Sequence, residues 1–242
     1  MKAIILAAGE GKRLRPLTYG IPKPLLPVGG RPVIDYVIDN IKKCGEIDKV
    51  YIAVSHMKDT LESYLRNNEY GGLEIEPVTT LGWETGGDLK AVLIHAGIND
   101  EPVLVCYGDN ITTVDTAQLV DAHKKNEGAY ATLSLFGVPQ EDVPRFGIAE
   151  LEGEKINRFI EKPEAGATSS CLANAGYFVL ESSALEDKSM HKFKIESTCF
   201  PAWSESGKLF GQTQEIKTWI DIGTIESYRI ANKLVEELLP PG

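Results

Sequence analysis

The sequence is poor in positive charge and in long hydrophobic runs. Its 242 residues carry 25 Lys and Arg against 35 Asp and Glu, which gives a formal net charge of -10. Nucleic acids and anionic membranes attract positive surfaces, so neither is an expected partner. No run approaches the ~20 apolar residues that a membrane-spanning helix needs. We therefore expect a cytoplasmic protein with no membrane or nucleic-acid partner, and self-association is left open.

Cysteine is also scarce. The four cysteines, at positions 44, 106, 171 and 199, form no Cys-x-x-Cys pair and have no histidine at zinc-binding spacing. Neither a disulfide framework nor a structural zinc site is expected. The first apolar run, residues 3–8, is too short for a signal peptide, so the cysteines are expected to be free thiols of an intracellular protein.

What the sequence does contain is the composition of a globular domain, with 43% hydrophobic and 25% charged residues. Strand and helix patterns alternate over the first 130 residues. Apolar runs predict strands at 3–7, 50–54, 73–78 and 103–107, and helical spacing predicts helices at 33–44, 59–67, 85–96 and 115–126. Apolar strands that alternate with helices predict a parallel sheet with helices on both faces.

From residue 131 onward the pattern changes to short strands. They are expected at 131–138, 148–151, 156–160, 173–180, 209–215 and 217–220, with helices at 198–205 and 225–239, the last ended by Pro240 and Pro241. No linker or repeat interrupts the chain. We expect one α/β domain over 1–242: a three-layer, doubly wound, mostly parallel, Rossmann-like sheet with a β-rich insertion in its second half.

Positive charge is concentrated at the N-terminus, because residues 1–31 hold six Lys and Arg but only one acidic residue, Glu10. Gly9 and Gly11 follow a predicted strand and precede Lys12 and Arg13. Exposed backbone N–H groups beside cations suit a polyphosphate. An ordinary strand-to-helix turn with solvated cations has the same short pattern, so this loop leaves both interpretations open. It matches neither the dinucleotide fingerprint nor the Walker loop.

Two longer patterns extend this loop. Residues 9–18 follow Gly-x-Gly-x-Arg-Leu-x-Pro-Leu-Thr, and residues 22–28 are Pro-Lys-Pro-Leu-Leu-Pro-Val. With Glu84-Thr-Gly-Gly87, Tyr107-Gly-Asp109, Phe146-Gly147, Glu161-Lys-Pro163, Asn174-Ala-Gly-Tyr177 and Trp219-Ile-Asp-Ile-Gly-Thr224, they resemble the signature of the sugar-1-phosphate nucleotidyltransferases, or NDP-sugar pyrophosphorylases. The resemblance covers residues 2 to about 230 and is to the compact form without a C-terminal β-helix domain.

The resemblance implies an enzyme that transfers a nucleotidyl group from a nucleoside triphosphate (NTP) to a sugar 1-phosphate. The sugar phosphate would attack the α-phosphorus directly and release pyrophosphate, with positioning and electrostatics supplying the catalysis. Residues 1–130 would mainly bind the nucleotide, and residues 131–242 would mainly bind the sugar.

The resemblance also assigns residues to each task. Arg13, Lys23 and Lys162 would be catalytic. The nucleotide would contact Leu6, Ala7, Ala8, Gly9, Gly11, Lys12, Arg13, Lys23, Glu84, Thr85, Gly86 and Asp109. The sugar phosphate would contact Gly147, Glu161, Lys162, Asn174 and Gly176. Asp109 and Asp221 would bind Mg²⁺, which takes a few carboxylates together with waters and phosphate oxygens.

The substrates remain open at this stage. UTP or dTTP is favoured, and the alternatives are a GTP-using mannose-1-phosphate-type guanylyltransferase, a cytidylyltransferase with a non-sugar phosphate acceptor, and a silent regulatory subunit that binds an NDP-sugar. The segment Ile195-Glu-Ser-Thr-Cys-Phe-Pro201 resembles a family element, but Ser197 replaces its common Lys, and Ile225 replaces a frequent Pro. Without hexapeptide repeats, acetyl transfer is not expected.

Overall fold

A computed structural model describes residues 1–238. The helices are α1 Val33–Lys42, α2 Lys58–Arg66, α3 Glu84–Ala96, α4 Thr116–Lys125, α5 Ile195–Glu205 and α6 Ile225–Leu238. The strands are β1 Lys2–Leu6, β2 Pro27–Val28, β3 Arg31–Pro32, β4 Lys49–Val54, β5 Glu74–Thr79, β6 Pro102–Tyr107, β7 Asn110–Thr112, β8 Ala131–Gly137, β9 Gly147–Glu152, β10 Lys155–Glu161, β11 Leu172–Glu181, β12 Leu209–Thr213 and β13 Trp219–Asp221. The predicted alternation of strands and helices is confirmed.

Nine strands form one sheet in the order β5-β4-β1-β6-β11-β8-β12-β10-β9. The four strands of the first half, β5, β4, β1 and β6, are parallel to one another. In the second half only β12 and β8 pair in parallel, and the other pairings are antiparallel. The predicted fold class is confirmed, with its parallel strands concentrated in the first half. The β-rich second half extends the same sheet, because β11 pairs directly with β6.

Helices cover both faces of the sheet, as three layers require. One hydrophobic cluster packs α3 and α5 against one face, and a second packs α1, α2 and α4 against the other. Successive residues of β1 alternate between them: Ile4 belongs to the first cluster, whereas Ala3 and Ile5 belong to the second. Within residues 1–238, no helix combines the length and the apolar character needed to cross a membrane.

A third, smaller cluster holds the N-terminal loop in place. Leu14, fully buried, packs with Val28, Ile220 and Ile222, and α6 contributes Ala231 and Val235. This cluster joins the glycine-rich loop to β13 and to the last helix. The loop that the sequence marks as functional is therefore anchored by its own apolar residue.

The start of α5 and the end of β13 differ from expectation because of long-range contacts. Helix α5 begins at Ile195, three residues earlier than predicted, since the Ile195 N–H donates to Thr85 Oγ1 at 3.1 Å. Strand β13 runs to Asp221 because it pairs with β7, with Asp221 opposite Asn110. The end of the last predicted helix, from Leu239 through Pro240 and Pro241, lies outside the described residues.

The sheet order determines where a ligand can bind. The chain runs from β1 outward through β4 to β5, and then returns to place β6 on the other side of β1. Leu6 and Tyr107, at the ends of β1 and β6, lie side by side in the parallel register. Doubly wound sheets bind ligands where the strand order reverses, at the carboxyl ends of the strands. The loops after β1 and β6 meet at this point.

Candidate active site

A cavity of about 680 Å³ opens at this reversal point. It is lined by the loop after β1, the start of α3, the end of β6 and a segment that precedes α5. Eleven of the twelve residues predicted to bind the nucleotide line it, namely Leu6, Ala7, Ala8, Gly9, Gly11, Lys12, Arg13, Lys23, Glu84, Thr85 and Asp109. The twelfth, Gly86, lies in the first turn of α3 and contacts a different segment.

Five cations line the cavity: Lys12, Arg13, Lys23, Lys192 and Lys194. Two of them pair with carboxylates in largely exposed positions. Lys12 Nζ lies 3.2 Å from Glu10 Oε2, and Lys192 Nζ lies 3.4 Å from Glu84 Oε1. Exposed pairs of this kind contribute little energy, because water screens them. They leave both lysines available to an incoming anion.

The ion pair between Lys23 and Asp109 is different. Lys23 Nζ donates a hydrogen bond to Asp109 Oδ2, and the side chains are only 13% and 31% exposed. Lys23 lies in a single helical turn, Lys23–Leu25, that follows Pro22. Asp109 lies two residues after the end of β6, with Gly108 between them. Two predicted site residues that are 86 positions apart in sequence are thus in direct contact.

The two aspartates predicted to bind a metal come from neighbouring backbone. The Ile222 N–H donates to the Asp109 carbonyl at 3.2 Å, and Asp221 pairs with Asn110. A Cβ placed on Gly223 would lie 3.0 Å from Asp221 Oδ2 and 3.2 Å from Arg13 Nη2. Asp221 and the cavity cation Arg13 therefore both border the Gly223 position. Among residues 1–238, no group of three or more acidic, His or Cys side chains could hold a metal.

A buried carboxylate that sequence reasoning missed, Glu196, lies beside the cavity. It accepts hydrogen bonds from the Tyr107 hydroxyl and, at 2.6 Å, from Thr85 Oγ1. Burial and the negative charge of Glu196 raise the pKa of Tyr107 well above its ordinary value, so Tyr107 remains a donor. Glu196 lies in the matched segment 195–201, but its contacts with Tyr107 and Thr85 depend on the tertiary fold.

Glu161 forms the next part of this acidic region. Burial raises the pKa of the Glu161 carboxyl, and the neighbouring Glu196 carboxylate raises it further, while Lys162 lowers it. A Cβ on Gly147 would lie 2.8 Å from Glu161 Oε2, so these two predicted residues are in contact across β9 and β10. Glu161 and Glu196 together form a region rich in hydrogen-bond acceptors.

Lys162 follows Glu161 in a backbone conformation that L-residues seldom adopt. Its φ is +50°, in the left-handed region, and its N–H donates to the Phe146 carbonyl at 2.9 Å. Its Nζ lies 3.6 Å from Glu161 Oε1. A non-glycine residue with such φ costs on the order of 1 kcal/mol, and strain of this kind concentrates at functional sites.

Asn174 and Gly176 complete the set predicted to contact the sugar phosphate. Asn174 Oδ1 accepts from the Gly176 N–H at 3.0 Å, which leaves the Asn174 amide nitrogen to donate elsewhere. Gly176 has φ +78°, and a Cβ there would lie 2.9 Å from the Tyr107 ring. None of the five residues predicted to contact the sugar phosphate lines the 680 Å³ cavity. Tyr107 does line it, and the Tyr107 ring contacts Gly176.

The segment that carries Lys192 and Lys194 is attached to the start of α3. The Phe193 carbonyl accepts from the Gly86 and Gly87 N–H groups at 3.0 and 3.3 Å, and the Phe193 N–H donates to the Trp83 carbonyl. A Cβ on Gly86 would lie 2.2 Å from Phe193 Cε2. The two glycines thus provide a close-packed contact that brings two lysines to the cavity.

Asp88 lines the cavity and binds the loop that precedes α3. It is buried, and its Oδ1 accepts from the Trp83 N–H at 2.9 Å. Burial raises the pKa of its carboxyl, while hydrogen bonds from Trp83, Thr80 and Gly82 oppose the shift. Sequence reasoning did not select Asp88, Lys192 or Lys194, because no motif marks them. Their positions depend on tertiary contacts.

Comparison with known proteins identifies the family. Residues 2–237 match the model of the family described as Nucleotidyl transferase, so the chain belongs to that family. It is similar to a UTP–glucose-1-phosphate uridylyltransferase from Synechocystis (30% identity over 240 residues, 94% of this chain and 61% of the relative). It is also similar to a mannose-1-phosphate guanylyltransferase from Mycobacterium tuberculosis (33% over 247 residues, 98% and 66%). The chain spans less than two thirds of the length of either relative.

A solved structure extends the comparison to the fold. A candidate glucose-1-phosphate thymidylyltransferase from Bacillus anthracis, crystallised with sucrose, superposes with a TM-score of 0.83 at 28% identity. The match covers 100% of this chain and 97% of that one. The α/β fold inferred from the sequence is the fold of this relative.

Proposed function

We propose that this chain transfers a nucleotidyl group from an NTP to a sugar 1-phosphate and releases pyrophosphate. The observation that carries the proposal is the meeting of the glycine-rich loop, Lys23 and Asp109 around one cavity, at the reversal point of a nucleotidyl transferase fold. The reaction brings several negative charges together. A cavity lined by five cations opposes that repulsion without a protein nucleophile.

In this proposal the first half of the chain binds the nucleotide. The glycine-rich loop and the start of α3 line the cavity from both sides, and Arg13 and Lys23 contact the β- and γ-phosphates. When the bond between the α-phosphorus and the bridging oxygen breaks, that oxygen leaves with the pyrophosphate and carries one additional formal negative charge. Cations held beside it stabilise that developing charge, which is where electrostatic catalysis is most effective.

The second half binds the acceptor. Lys162 is proposed to contact the sugar phosphate, and its strained backbone fixes the direction from which it does so. Glu161 and Glu196 accept hydrogen bonds from sugar hydroxyls, and the Asn174 amide donates one. Neutral hydroxyl donors suit this region better than an additional phosphate, because the buried Glu196 carboxylate and the half-buried Glu161 carboxylate already repel negative charge.

Mg²⁺ is the proposed metal, with Asp109 and Asp221 as its protein ligands. The two aspartates lie on adjacent backbone, since Asp221 pairs with Asn110. Among residues 1–238 no third acidic ligand joins them, which fits an ion that completes its coordination shell with water and phosphate oxygens. When bound, such an ion neutralises charge on the reacting phosphates.

A substrate matrix tests the proposed function. The purified protein is incubated with Mg²⁺, with each of UTP, dTTP, GTP, CTP and ATP against glucose, mannose, N-acetylglucosamine and N-acetylmuramate 1-phosphates, and pyrophosphate release is measured. We expect release with a hexose 1-phosphate and with UTP or dTTP as the donor. Phosphocholine serves as the non-sugar acceptor for comparison. Turnover only with GTP would show that the nucleotide donor is GTP and not UTP or dTTP. No turnover in any combination contradicts the proposed activity.

A further inference from the structure

Asp109 is assigned two partners that carry positive charge. It is a proposed metal ligand, yet its Oδ2 accepts a hydrogen bond from Lys23 Nζ. Lys23 is 13% exposed and Asp109 31%, so water screens their attraction less than it screens that of a fully exposed pair. The pair therefore differs from the exposed Lys12–Glu10 and Lys192–Glu84 pairs in the same cavity.

A divalent cation cannot join this pair without a rearrangement. An ion bound to Asp109 would lie close to the Lys23 ammonium, and like charges repel strongly at such distances in a partly buried site. The second proposed ligand does not remove this repulsion, because Asp221 Oδ2 and Arg13 Nη2 both lie close to the Cβ position of Gly223, so a cation is near Asp221 as well. Among residues 1–238 no third carboxylate joins these two to outweigh the cations.

We propose that Lys23 and a divalent metal ion compete for Asp109. In the nucleotide-free protein Lys23 holds Asp109 and metal binds weakly. When a triphosphate arrives, its oxygens take Lys23, and the released carboxylate binds the metal. The inference rests on the proposed function and adds a coupling to it: metal and polyphosphate each strengthen the binding of the other, and the coupling passes through one lysine.

Metal binding to the nucleotide-free protein tests the competition. Mn²⁺ is titrated into wild-type protein and the Lys23→Met variant without nucleotide, and the free ion is measured by electron paramagnetic resonance. Removing the competing ammonium is expected to tighten Mn²⁺ binding by about tenfold or more. Lys12→Met removes the same charge from the same cavity but releases only exposed Glu10, so a change below about twofold is expected. Equal Mn²⁺ affinity in wild type and Lys23→Met overturns the proposal.

The reciprocal titration does not depend on the folding of the lysine variant. Inorganic tripolyphosphate is titrated calorimetrically in the presence of EDTA. Asp109→Asn frees Lys23 and is expected to bind tripolyphosphate more tightly than Asp221→Asn, which removes the same charge nearby but releases no hydrogen-bonded lysine. Equal affinity in these two variants contradicts the competition. Neither titration requires turnover, so failure of the proposed activity and failure of this inference are distinguishable.

Discussion

Replacing Lys23 with alanine is expected to lower kcat by about 10²- to 10³-fold, the loss typical when one preorganised charge-stabilising donor is removed. Of the cavity lysines that pair with a carboxylate of the cavity wall, Lys23 is the least exposed. Water therefore cannot replace its ammonium group effectively. Its removal abolishes both the contact with Asp109 and the proposed contact with the departing pyrophosphate. The measurement is pyrophosphate release with the best substrate pair from the matrix.

The effect should be on the reaction rather than on the fold. Asp109 remains partly exposed in the variant, so the unpaired carboxylate is solvated and the melting temperature is expected to fall by only about 2–4 °C. Lys12→Ala is the comparison, with an expected loss of less than about tenfold because its pair with Glu10 is exposed. Turnover of Lys23→Ala at the wild-type rate contradicts the assignment.

Gly86→Ala is expected to destabilise the protein by about 3 kcal/mol, at the upper end of typical overpacking effects. Alanine favours a helix by about 1 kcal/mol over glycine, so propensity alone predicts the opposite sign. The added Cβ, however, would lie 2.2, 2.5 and 2.7 Å from three atoms of the Phe193 ring. The ring is buried and cannot move aside without displacing the segment that carries Lys192 and Lys194. Activity is therefore expected to fall with stability.

Urea unfolding measures this effect, and a double variant checks its cause. Adding Phe193→Leu to Gly86→Ala removes most of the clash and is expected to recover part of the lost free energy of unfolding. Gly137→Ala is the matched control, because a Cβ there has no neighbour within 4 Å, and a change within about 0.5 kcal/mol is expected. A Gly86→Ala variant as stable as Gly137→Ala contradicts the packing described for Phe193.

Local patterns predicted most of the fold. Apolar runs such as Ala3 to Ile5 and Val103 to Cys106 are buried on both faces, which is the condition under which hydrophobicity alone marks a strand. Strand β7, and the small sheet that it forms with β13, could not be predicted in this way. Its two strands have three residues each and exist because Asp221 pairs with Asn110, more than 100 positions away. Pairing between distant segments leaves little local signal.

The candidate site likewise contains residues that the sequence predicts and contacts that it does not. The glycine-rich loop, Lys23 and Asp109 were predicted because the motifs that contain them resemble those of the sugar-1-phosphate nucleotidyltransferases. The hydrogen bonds of Glu196 to Tyr107 and Thr85 were not, since they join three separate elements. Nor could the sequence reveal that Lys23 and Asp109 pair with each other, because a resemblance assigns each residue its own role.

Direct attack of the acceptor phosphate on the α-phosphorus is tested most directly by the configuration at that phosphorus. Among residues 1–238 no cysteine or histidine lines the cavity, so its wall offers neither a thiol nor a histidine-activated hydroxyl. With a single diastereomer of an NTP that carries sulfur on the α-phosphate, one in-line displacement inverts the configuration, whereas two displacements through a covalent intermediate retain it. The geometry predicts inversion in the NDP-sugar product, and retention would contradict direct attack.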